Sequence, residues 1–146
     1  MDFPKSKDYA PIEEKFNISS HAIGLVLSIF ALVLLVVYAN LHGDVWHIVS
    51  FSVFGGSLIA LYAASTLYHS AKKPVLRSRL KILDHASINV LIAGTYTPFA
   101  LDTLHGSTGW VIYGVIWSLA FTGIILKLFF TGKYNLLSTI MYELKG

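Results

Sequence analysis

Ser65 and His69 stand four residues apart at the end of one long apolar stretch, and Asp84 and His85 open the next. A hydroxyl and an imidazole one helical turn apart, facing a carboxylate, are the residue types of metal-assisted hydrolysis. A neutral imidazole holds zinc, a carboxylate orients or deprotonates the attacking water, and a hydroxyl bonds to that carboxylate. Glu14, Asn17 and His21 add a second group. Their spacing of three and seven residues sets them almost in line on one face of a helix that leads into the first apolar run. Ionisable groups at the ends of membrane spans are expensive and are usually kept for function. For Asp84 two readings stay open, a functional carboxylate and a cap at the N-terminus of its helix. Ser65 and His69 are also the types of a nucleophile pair, but no oxyanion hole is legible to serve one.

The elements that must position these residues follow from composition. Of 146 residues, 55% are hydrophobic and 13% charged, about half the charged share of a soluble domain. The apolar residues gather in four runs near the length of about 20 residues that crosses a bilayer as helix. They extend from Ala22 to about Leu41, Val45 to Tyr68, Ala86 to Leu104 and Gly109 to Phe130. The fold class is an all-α integral membrane bundle with four spans. A further apolar stretch, Leu136 to Met141, begins a fifth. Residues 1–11 read as a mobile tail, and 12–146 as one transmembrane domain.

The net charge is +3, and its distribution matters more than its size. Lys5, Lys7 and Lys15 precede the first span. Lys72, Lys73, Arg77, Arg79 and Lys81 separate the second from the third, and Lys127, Lys133 and Lys145 flank or follow the fourth. Four spans bring every cation to one side, which the positive-inside rule makes the cytoplasm, with the N-terminus inside. Topology and anionic lipid headgroups account for the basic segment, so membrane lipids are the expected partners and nucleic acid is not. The chain has no cysteine, which removes disulfides and thiolate metal sites. The first apolar run is too long for a cleaved signal core and reads as a retained span.

On this topology Glu14, Asn17, His21, Ser65, His69, Asp84 and His85 share the cytoplasmic end. His42, His47 and His105 fall at the other face, where histidines commonly meet headgroups. Ser52, Gly56, Ala60 and Ala64 recur every four residues, a ladder that admits a close helix neighbour, read as packing within the chain in preference to a dimer contact. Pro98 deprives the Gly94 carbonyl of its helical partner and predicts a kink. Thr95, eleven residues after Asp84, extends the polar stripe inward.

Glu14-x-x-Asn17-x-x-x-His21, Ser65-x-x-x-His69, Asp84-His85 and the segment Ala93-Gly94-Thr95-Tyr96-Thr97-Pro98, in this order, resemble the bacterial hemolysin III family. That family stands with the progestin and adipoQ receptors and, more distantly, the alkaline ceramidases. The resemblance covers about residues 12–146. It implies a seven-helix membrane protein of the bacterial cell membrane with zinc near its cytoplasmic side. By resemblance His69 is a zinc ligand, Asp84 holds the attacking water and Ser65 supports the site; Glu14, Asn17 and His21 match the family's first motif and are read here as helix packing around the site. The receptors and ceramidases imply hydrolysis of an amide in a ceramide-like lipid; the bacterial members imply membrane-lipid homeostasis, and the hemolysin name an association with cytolysis. The family completes its zinc site with a His-x-x-x-His pair on the last helix, which this chain does not contain. The expectation is therefore a chain truncated at its C-terminus with an incomplete ligand set, for which His85 and His21 are the supplementary imidazoles. Two rivals are a pore-forming cytolysin or channel lined by the polar stripe, and a non-enzymatic sensor with a structural metal. The sequence assigns no oligomeric state.

Overall fold

The computed structural model describes residues 9–129. They form α1 (Pro11–His42), α2 (Val45–Ser70), α3 (Pro74–Pro98), a π-helical turn (Phe99–Leu104) and α4 (Gly106–Phe129). The helices pack in chain order, α1 on α2, α2 on α3 and α3 on α4. Among the described residues α1, α2 and α4 are long and apolar enough to cross a membrane. Helices satisfy their backbone hydrogen bonds internally, which a hydrocarbon surrounding demands. Large apolar side chains such as Phe30, Leu34 and Phe121 accordingly face outward.

The third apolar segment departs from expectation. It is helical, but it is no separate element beginning at Ala86. Pro74 occupies the first turn of α3, where its missing amide hydrogen has no helical role and its fixed φ suits the helix. Arg77, Arg79, Lys81 and Asp84 therefore lie on the early turns of α3 and lower its mean hydropathy. Asp84 sits nearly three turns into the helix, so it is not the N-cap; that position is Lys73, which makes no side-chain capping bond. At the other end α3 runs to Pro98, and the chain continues through the π-helical turn. Ser50 of α2 donates to Asp102 of that turn at 2.5 Å, and Trp117 of α4 donates to Thr97 of α3 at 3.1 Å. His105 (φ 44°) and Gly106 (φ 67°) form the link into α4; only glycine adopts that left-handed region at little cost. The expected start of a fifth span, Leu136 to Met141, lies outside the described residues, as does most of the expected tail.

The small-residue ladder is corrected. Ser52, Gly56 and Ala60 are exposed, no atom comes within 4 Å of a Cβ placed on Gly56, and only Ala64 is buried. Close approach occurs on other faces of α2. A Cβ on Gly55 would strike Leu32 of α1, and one on Gly94 of α3 would strike Ser57. Contact with both neighbours at once turns the ladder outward. Thr95 is exposed too, bonding only the Leu91 carbonyl at 2.8 Å, because Ala93, Gly94 and Thr97 take the buried face at that level.

Gly43 and Asp44 alone join α1 to α2. Asp44 is an N-cap, accepting from the amides of Trp46 at 2.9 Å and His47 at 3.1 Å, with the His47 ring 2.9 Å away. The bond from the His47 side chain holds the Asp44 carboxyl below the usual carboxylate range. Because the folded pKa is depressed, this support is complete above the unfolded value of about 4 and fades as pH falls through the folded one. Protection of the Trp46 and His47 amides, taken relative to their intrinsic exchange rates, is therefore expected to fall below about pH 4. Asp44→Ala should show the lowered protection at both acidic and neutral pH; protection unaffected by pH or substitution would contradict the cap.

Candidate functional site

The antiparallel order of the helices brings the start of α1, the end of α2 and the start of α3 to one end of the bundle. There His69, 8% exposed on the last turn of α2, is held between helices. Its Nδ1 lies 3.2 Å from Glu14 Oε2 on α1. A carboxylate only accepts, so a hydrogen bond here requires the proton on this nitrogen. The other Glu14 oxygen, Oε1, pairs with the Arg77 guanidinium of α3. Arg77 also donates to the carbonyls of Ala71 at 3.3 Å and Tyr68 at 3.5 Å, and its Cζ lies 4.8 Å from the Tyr68 ring centre. Burial works against the Arg77 charge, but the Glu14 carboxylate more than offsets it and holds the guanidinium above its ordinary value.

Aromatic rings enclose His69. Tyr9 meets it edge-on with ring centres 5.4 Å apart, and His21 stacks on it at 5.6 Å with planes 11° apart. The His21 ring also lies 6.0 Å from Tyr62. Among the described residues its buried Nδ1 has no hydrogen-bond partner, and protein groups or ordered water are the usual complement of such a nitrogen. Asp84 lies within electrostatic reach of His21 and of Tyr68. Ser65 is buried one turn before His69. An open cavity of about 370 Å³ beside the group is lined by Tyr9, Glu14, Ile18, His69, Lys72 and Arg77 among others.

The sequence-predicted residues separate accordingly. Glu14 and His21 contact His69, Asp84 lies within electrostatic reach of His21, and Ser65 is buried one turn before His69. Asn17 is half-buried, with its carbonyl accepting from Ser20 at 3.1 Å. His85 turns back along its own helix, where its Nδ1 bonds the Lys81 carbonyl at 2.7 Å. At the far end His42 stacks on Tyr38 and His47 joins the Asp44 cap, so neither belongs to this group. Among the described residues no three His, Asp or Glu side chains come close enough together to hold a metal ion. Tyr9, Tyr62, Tyr68 and Arg77 were not legible as site residues. For Arg77 the signal was available: Pro74 marks a helix start, and a seven-residue spacing sets Arg77 on the face of Asp84.

The family model described as "Haemolysin-III related" matches residues 9–146. The chain is 48% identical over 134 residues to "Hemolysin-3 homolog" of Bacillus subtilis (strain 168), covering 92% of this chain and 63% of that protein. It is 46% identical over 134 residues to "Hemolysin-3" of Bacillus cereus, covering 92% of this chain and 61% of that protein. The chain thus spans less than two thirds of the length of these relatives. No solved structure matches it. A helical membrane bundle with this motif order and this extent of similarity belongs to the haemolysin-III related family.

Proposed function

We propose that the full-length protein is a membrane enzyme that hydrolyses an amide in a ceramide-like lipid, acting in membrane-lipid homeostasis of the bacterial cell membrane. Its basic end, with the N-terminus, faces the cytoplasm. The observation that carries this reading is His69, contacted by Glu14 and His21 and lining an open cavity with Glu14 at that end, with Asp84 within electrostatic reach of His21. The donor chemistry fits zinc in part. His69 has a carboxylate behind its Nδ1, the arrangement typical of metal-binding histidines, and His21 has a buried nitrogen in want of a partner. His69 would be the ligand from this chain. Zinc, when bound, would polarise the scissile carbonyl and lower the pKa of water.

The remaining work falls to side chains. Asp84 takes the proton from the attacking water and returns it to the leaving amine. Ser65 supports the site from within α2. Glu14 and Arg77 brace His69 across three helices, and Asn17 belongs to the packing of α1. Purified full-length protein in nanodiscs, offered a fluorescent ceramide, should release fatty acid, lose the activity to chelator and regain it with zinc. Release of dye from loaded liposomes that ignores chelator would favour a pore-forming cytolysin instead. Bound zinc without turnover of any offered lipid would favour a sensor with a structural metal.

A further inference from the structure

We infer that Glu14, held by Arg77, is a positioning residue that keeps the His69 proton on Nδ1 and so leaves Nε2 as the nitrogen that meets metal or water. This deepens the proposed function and rests on its reading of His69 as the working residue. Three observations carry it. Glu14 Oε2 lies 3.2 Å from His69 Nδ1. Glu14 Oε1 is occupied by Arg77, which is itself fixed by two carbonyls at the end of α2 and by the Tyr68 ring. Glu14 and Arg77 are half-buried, at 18% and 13% side-chain exposure, and the Glu14 Oε1 atom itself is out of contact with solvent. A carboxylate accepts at both oxygens and a guanidinium only donates. With Oε1 committed to Arg77, Oε2 can only accept, and neutral His69 must give it the Nδ1 hydrogen. The free lone pair is then on Nε2.

A glutamine at position 14 separates this role from simple packing. Its single carbonyl oxygen goes to Arg77, which cannot accept, and its amide NH2 faces His69. His69 Nδ1 must then accept, and the proton moves to Nε2. In full-length protein carrying 15N-labelled histidine in nanodiscs at pH 8, the native His69 should show protonated Nδ1 and bare Nε2. Glu14→Gln should invert that pattern. Zinc titrated into metal-stripped protein should bind Glu14→Gln 10- to 100-fold more weakly, on the order seen when the outer partner of a metal-binding histidine is lost. A native tautomer protonated at Nε2 overturns the inference with no mutation needed, and so does an unchanged tautomer in a folded Glu14→Gln. If the native protein binds no zinc, the hydrolase reading fails, while the tautomer still decides the part played by Glu14.

Discussion

Asp84→Asn is expected to stop lipid turnover while leaving the zinc content of the full-length protein unchanged. The substitution keeps the size of the side chain but replaces one acceptor oxygen with an NH2 donor and removes its ability to take a proton. General-base catalysis contributes roughly 10²- to 10⁴-fold to rate, so a loss of that order in kcat is expected, with KM little altered. The fold should survive. Asp84 caps no helix, since α3 starts at Pro74, and its interactions with His21 and Tyr68 are those of charge. Turnover equal to that of the native protein would remove Asp84 from the chemistry. Loss of zinc together with activity would make Asp84 a ligand instead of a base.

Arg77→Ala is expected to destabilise the bundle by about 2 kcal/mol, between the values for an exposed and a fully buried ion pair. Glu14 would be left with an uncompensated charge at 18% exposure, and the carbonyls of Tyr68 and Ala71 would lose a donor. Much of that loss comes from the stranded carboxylate and not from the bond itself. Adding Glu14→Ala should therefore recover part of the stability, giving a coupling of about 2 kcal/mol in a double-mutant cycle. Reversible unfolding in mixed micelles measures it. Additive losses would mean that Arg77 acts only through the end of α2.

How far the sequence carries is clearest at these residues. Ser65 and His69 are placed by helical periodicity within a single apolar run, and apolar runs of membrane proteins declare themselves through length. The up-and-down order of helices then brings Glu14 and His21 to His69, because links such as Gly43-Asp44 are too short for any other arrangement. What periodicity alone does not fix is rotation. Asp84 and Thr95 are eleven residues apart, yet Thr95 is exposed, since the close approach of Gly94 to Ser57 sets the buried face of α3 at that level. The ladder from Ser52 to Ala64 fails for the same reason: small residues mark faces that permit approach, and other faces of α2 were used. Arg77 was hidden by its neighbours. Five cations between two spans satisfy the positive-inside rule as a group, and only the helix start at Pro74 singles out the one that turns inward to Glu14.

We read His69, braced by Glu14, as the residue that would hold a metal at the basic end of the bundle. The most direct test of that reading is the zinc content of full-length protein purified from its membrane, native beside His69→Ala, with helicity measured on both. Stoichiometric zinc in the native protein and none in a fully helical His69→Ala is the predicted result. Equal zinc in the two proteins would contradict it.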